Sequence, residues 1–129
     1  MPFLLVTMAC EPLNQESTVE EDNIYHGKLT VASGTYKAML FTAQSGDSIL
    51  GGARLTSGSN FTFFWAKDTE FQEWMSSGDT DGLMDYSQNA SEVSVASPIP
   101  SEGNYYVVFE APAGQTNLDV RFKTRRWKE

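Results

Sequence analysis

Carboxylates dominate the chemistry this chain can offer. Glu70, Glu73, Asp79, Asp81 and Asp85 fall close together in sequence, with Trp65 and Trp74 beside them. Glycoside hydrolysis needs only two carboxyl groups at a suitable separation, one holding a proton and one charged, so this cluster is the chain's candidate for catalysis. Glu70 and Glu73 have a competing explanation, because acidic residues belong in the first turn of a helix. A domain of 129 residues also has little depth for a substrate cleft. The balance predicts a protein without enzymatic activity. The other common catalytic groups are scarce, with one histidine and one cysteine in the whole chain. His26 stands beside Tyr25 and Gly27 with no Gly-x-Ser-x-Gly elbow anywhere to supply a nucleophile. Gly46, Gly51 and Gly52 do not complete a phosphate-binding Gly-x-x-x-x-Gly-Lys loop.

The run Ser77 to Asp85 invites comparison with a calcium loop. With Ser77 as position 1, Asp79, Asp81, Gly82 and Asp85 fall at positions 3, 5, 6 and 9, but Gln88 replaces the bidentate glutamate at position 12. Asp79, Asp81 and Asp85 are thus candidate ligands for calcium at weak affinity, and no other cofactor is called for. The alternative is an acidic turn whose Asp and Gly residues simply supply backbone geometry.

Sugar binding draws on exposed aromatic faces with amides nearby. Trp74, Tyr86, Gln88 and Asn89 are the candidate ligand-binding residues, and Tyr25 and Trp127 are further candidate aromatic platforms. Trp74 equally suits the role of a core anchor for its helix. Asn60-Phe61-Thr62 and Asn89-Ala90-Ser91 match the glycosylation acceptor pattern, of which only Asn89 is expected to be accessible.

Charge narrows the partners. Seventeen acidic residues against nine basic ones give a formal net charge of -8, so nucleic acid is excluded as a partner class. The two signs are also segregated. Glu11, Glu16, Glu20, Glu21 and Asp22 crowd the N-terminal segment, while Arg121, Lys123, Arg125, Arg126 and Lys128 crowd the end. Either the acidic arm lies against the basic tail, or both are solvated ends of the chain. The second reading is the one adopted.

The first residues run Met-Pro-Phe-Leu-Leu-Val-Thr-Met-Ala up to Cys10. A short apolar stretch, a small residue, a cysteine and then a polar acidic segment is the arrangement that ends a bacterial lipoprotein signal. On that reading Cys10 is the lipidation site and the protein is extracytoplasmic, either secreted or anchored at the cell envelope. The alternative makes residues 3 to 9 a first β-strand and Cys10 a small hydrophobe.

The elements that would position these groups are mostly strands. From Ile24 to Thr124 the apolar period is two, broken every eight to twelve residues by Gly, Asn, Asp, Ser or Pro, which predicts an all-β antiparallel sandwich of seven or eight strands. Tyr36 to Phe41 is apolar on both faces and is expected to be a central strand, as is Tyr105 to Phe109. Gly51-Gly52 suggests a hairpin or bulge. Phe61, Phe63 and Trp65 should face the core, and Leu118, Val120 and Phe122 form a last strand with one wet face. Phe71, Trp74 and Met75 change the period to i, i+3, i+4, so one short helix is expected, opened by Asp68 or by a Thr69–Gln72 capping box and closed by Gly78. The organisation is then a signal-like segment with a flexible acidic tether over 1–23, a sandwich domain over 24–124 and a basic tail over 125–129.

The block Ser101 to Phe109, a turn, and Leu118-Asp119-Val120-Arg121-Phe122 resembles the closing hairpin of small extracytoplasmic β-sandwich domains of the GOLD-like kind. The glycine-punctuated strands leading to Phe61–Met75 extend that resemblance to residues 24 to 124. It implies protein or cargo binding rather than catalysis. Eukaryotic members usually carry a disulfide, which a single cysteine cannot form. The function read from the chain is therefore a non-enzymatic binding module that meets a protein partner through residues 68–89, with carbohydrate binding as the alternative.

Overall fold

The computed structural model describes residues 18–128. Cys10 and the segment preceding it lie outside the described residues, as do Glu11 and Glu16. Eight strands and one helix make up the described chain: β1 Thr18–Val31, β2 Tyr36–Ala43, β3 Ser48–Gly58, β4 Phe61–Lys67, α1 Asp68–Ser77, β5 Met84–Ala90, β6 Glu92–Pro98, β7 Gly103–Glu110 and β8 Thr116–Lys128. They form two four-stranded antiparallel sheets, ordered β1-β8-β3-β6 and β2-β7-β4-β5. The protein is an all-β sandwich, as the period-two pattern predicts.

Alternation decides the core. Leu118, Val120 and Phe122 of β8 point inward and meet Phe61, Phe63 and Trp65 of β4 and Tyr105, Val107 and Phe109 of β7, all essentially without solvent exposure. Phe63 and Phe122 stack across the two sheets at 5.4 Å between ring centres. Each such side chain contributes about 1.5–3 kcal/mol by leaving water. β4 is buried on its other face too. There Phe64 and Ala66, with Val108 of β7, lie beneath Phe71 of α1 in a second, smaller apolar cluster. The helix thus adds a partial third layer on the outside of the second sheet.

That layer explains one departure from expectation. β2 is an edge strand rather than a central one. Its outward face is apolar because α1 leans over Ala38, while Leu40, beyond the helix, is 58% exposed.

Gly51-Gly52 makes neither a hairpin nor a bulge, since β3 runs through both residues from Ser48 to Gly58. The bulge between β3 and β8 falls later, between Leu55 and Ser57. Glycine is required by close approach: a Cβ on Gly51 would stand 2.0 Å from the carbonyl oxygen of Arg121, and one on Gly52 would stand 2.6 Å from that of Val93.

The described part of the acidic arm, from Thr18 onward, departs from its expected flexibility. β1 begins at Thr18 and pairs with β8 all the way to Lys128, so Glu20 to Asp22 lie in register with Arg126 to Thr124. Glu21 bridges Lys123 at 3.0 Å and Arg125 at 2.8 Å, and Arg126 reaches Glu20 at 3.7 Å. Opposite charges on facing strands supply the pairing energy that the weak apolar pattern of this segment does not.

Candidate functional site

Within residues 68–89, α1 lies on the outside of the second sheet and the chain then returns through a loop into β5, the edge strand of that sheet. α1 is held there by aromatic packing: Phe71 is buried and stacks on Tyr106 at 4.3 Å, and Trp74 meets Phe64 at 4.9 Å and Tyr36 at 5.1 Å. The expected capping box does not form. Lys67 stands at the N-cap without a side-chain cap bond, and Thr69 Oγ1 donates to Glu70 Oε1 instead. With Asp68 and Glu70 in its first turn, α1 gains from the dipole what it lacks in a cap. Gly78 closes the helix in the left-handed region, and its N–H donates to the Trp74 carbonyl at 2.8 Å. The chain then doubles back so tightly that a Cβ on Gly82 would meet Glu70 Cγ at 2.6 Å.

The carboxylates of this region separate into different roles. Asp79 Oδ1 accepts the backbone N–H of Asp81 at 2.9 Å and shapes the loop. Asp85 turns the other way. Its backbone is left-handed at φ 51, and its carboxylate accepts the Trp65 indole N–H at 2.6 Å and the Ser97 hydroxyl at 2.9 Å. One carboxylate thereby ties β5 to β4 and across to β6 of the opposite sheet. Among the described residues no group of three His, Cys, Asp or Glu side chains is placed to hold a metal ion. Asp79, Asp81 and Asp85 are accordingly not brought together.

Trp74 and Tyr86 do come together, both against Phe64, Tyr86 at 6.2 Å. Trp74 is half-buried, and Tyr86 is 37% exposed. Gln88 is exposed. Asn89, also left-handed at φ 54, points its amide oxygen to the Asn60 side chain at 3.2 Å. Trp127, 63% exposed, sits on the other sheet and shares no platform with Tyr86.

What distinguishes the region is its charge. No lysine, arginine or histidine occurs from residue 68 to 89, and none of Asp68, Glu70, Glu73, Asp79, Asp81 and Asp85 takes part in an ion pair among the described residues. The basic residues are spent elsewhere, chiefly on β8. An open hollow of about 520 Å³ lies at the C-terminal end of α1, lined by Tyr36, Trp74, Met75, Gly78 and Glu110. On the first sheet, an open trough of about 510 Å³ lies over Gly51 and Gly52, but its rim carries both signs, Arg54 and Arg121 against Glu92 and Asp119. A third hollow, about 370 Å³, contains Asp85 and Tyr86 between the edges of the two sheets. None of these hollows gathers two of Glu73, Asp79, Asp81 and Asp85.

The fold has solved relatives in shape. The chain is similar to the pre-peptidase C-terminal domain of a collagenase from Bacillus anthracis, at 14% identity over 82% of this chain and 88% of that one, with a TM-score of 0.49. It is also similar to PliG, a periplasmic inhibitor of g-type lysozyme, from Aeromonas hydrophila (10% identity, 91% and 92% covered, TM-score 0.44) and from Salmonella Typhimurium (11%, 91% and 94%, 0.39). No family model and no curated protein sequence matches the chain.

Sequence reasoning missed Asp47, Tyr36 and Glu110. Asp47 is 3% exposed, although its sequence context, Gln44-Ser45-Gly46-Asp47, is that of a turn. Tyr36 and Glu110 face each other across β2 and β7, a pairing without any local signal. The role of Asp85 did have a signal, since a core tryptophan needs an acceptor for its N–H.

Proposed function

We propose that this protein is a non-enzymatic binding module that engages a protein partner through residues 68–89, and that the surface it recognises is cationic. The observation that carries this reading is the unpaired carboxylate field of that region, laid on a rigid two-sheet scaffold and interrupted by exposed Tyr86 and Met75. Unneutralised charge of one sign steers an oppositely charged partner and selects against others. Apolar side chains within it supply the contact area that charge alone does not. The resemblance to GOLD-like domains, which implies protein or cargo binding, supports the same reading. Attachment to the cell envelope through a lipidated Cys10 fits with it and is part of the proposal. No helix among the described residues is long and apolar enough to cross a membrane.

The test is capture of extracytoplasmic proteins of the source organism, separated by isoelectric point, on the immobilised chain. Capture concentrated among the basic proteins, weakened by salt and lost in the Glu73→Gln/Asp79→Asn/Asp81→Asn variant, is the expected result. A partner retained equally by that variant would overturn the reading.

A further inference from the structure

We propose that the hollow at the C-terminal end of α1 is the seat for a single lysine or arginine side chain of the partner. The inference deepens the proposed function and rests on its cationic partner. Tyr36 and Trp74 both line the hollow and pack edge-to-face on each other, at 78° with their ring centres 5.1 Å apart, and the Tyr36 hydroxyl donates to Met75 Sδ at 2.9 Å. Aromatic faces attract organic cations through the ring quadrupole. Glu110 lies directly across the β2–β7 ladder from Tyr36 on the same face of the sheet. It is half-buried and forms no ion pair among the described residues.

The third contribution is the helix itself. The negative end of the α1 dipole falls at Gly78, on the wall of the hollow, and the last turn of α1 contains no basic residue to answer it. A cation from outside would therefore find an aromatic pair, a carboxylate and a helix C-terminus with no competing cation among the lining residues. Other occupants fit less well. An anion would be repelled by Glu110 and by the helix end. A neutral apolar group would desolvate Glu110 without pairing it. A small metal ion lacks a ligand set there, since no three metal-binding side chains gather among the described residues. Lysine and arginine share the required chemistry, a charged head on an apolar stem that can lie along Met75 and the rings.

The experiment titrates the isotope-labelled full chain with Nα-acetyl-lysine N-methylamide, its arginine counterpart and the neutral norleucine counterpart, read by the NMR signals of the Trp74 indole N–H, the Met75 methyl and the Gly78 amide. The cationic probes are expected to shift these signals together, and norleucine is not. Glu110→Gln should weaken the response roughly three- to tenfold, and Tyr36→Ala should abolish it while Tyr36→Phe retains it. An equal response to norleucine, or a cationic response indifferent to Glu110→Gln, would overturn the proposal. Its failure is distinguishable from that of the wider reading. If a captured partner is released by the Glu73/Asp79/Asp81 variant but held fully by Tyr36→Ala and Glu110→Gln, the seat is wrong and the acidic docking surface stands. If the lysine probe binds in the Glu110-dependent way but no basic protein is captured, the seat stands and the protein-partner reading falls.

Discussion

Arg126 forks onto Asp47, its Nε at 2.9 Å from one carboxylate oxygen and its Nη2 at 3.0 Å from the other. The two residues are distant in the chain, one in the turn between β2 and β3 and one near the end of β8. Asp47 is almost fully buried, and Gln44 donates its backbone N–H to the same carboxylate at 2.9 Å. The Arg126 guanidinium holds the Asp47 carboxyl below its ordinary value of 3.8, against the opposing effect of burial, and Asp47 in turn raises Arg126. A bidentate pair of this kind fixes geometry as well as charge. It pins the turn that starts β3 to the strand on which the acidic arm is zipped.

Asp47→Asn is expected to destabilise the fold by about 1–3 kcal/mol, because it removes a charged partner and leaves Arg126 partly exposed to solvent screening rather than stranded. Urea denaturation of the variant against the parent chain measures this directly. A difference close to zero would mean that solvent replaces the pair without cost.

The depressed pKa values of Asp47 and Glu21 set a pH dependence. Lys123 and Arg125 lower Glu21 from its ordinary 4.5, as Arg126 lowers Asp47. A carboxylate held lower in the folded state contributes stability that is complete above its unfolded pKa and disappears as pH falls through the folded one. Stability from these two groups is therefore expected to be level at neutral pH and to decline below about pH 4.5. In Asp47→Asn the acid decline should become shallower, which thermal unfolding followed across pH 2 to 7 would register.

The ion pairs of Glu21 are exposed and screened by salt, so their effect should be local. Glu21→Gln, or high salt on the parent chain, is expected to speed amide hydrogen exchange in residues 18 to 23 while leaving β7 and β4 protected. Exchange that accelerates everywhere would show that the arm is integral to the global fold.

Gly51→Ala should destabilise by about 1–3 kcal/mol or prevent folding, since the new methyl would fall on the Arg121 carbonyl at a backbone φ of 150°. Gly34→Ala makes the control for strain alone, because a Cβ there meets nothing within 4 Å and its φ is 78°. The difference between the two variants in chemical denaturation isolates the cost of close approach.

Asp85 permits a graded test. Asp85→Asn keeps an acceptor for the Trp65 indole and a residue type that tolerates the left-handed backbone, so a small loss is expected. Asp85→Ala strands the buried N–H and should cost about 1–3 kcal/mol. Equal stability of the two variants would show that the Trp65 hydrogen bond contributes nothing.

Alternation in Leu118, Val120 and Phe122 is by itself enough to specify a strand with one buried face, because a period of two can bury one side only. The i, i+3, i+4 spacing of Phe71, Trp74 and Met75 specified a helix in the same way. Chain composition also determined that residues 68–89 carry acid without base. These are local or additive properties, and no partner strand is needed to read them.

Neighbour and register were decided by the tertiary structure. β2 carries the same two-faced apolar pattern as β7, yet it is an edge strand with β7 as its one strand neighbour, and its outward apolar face answers a helix. The acidic arm looked flexible since its pairing energy comes from Lys123, Arg125 and Arg126 at the opposite end of the chain. Asp85 and Asn89 enter β5 with positive φ, at the shifts that break its register with β4. Those shifts are set by how β5 packs against its neighbours. Tyr36, Trp74 and Glu110 meet only because β2, α1 and β7 stack on one face, and such a meeting of three distant segments depends on packing that no stretch of sequence contains.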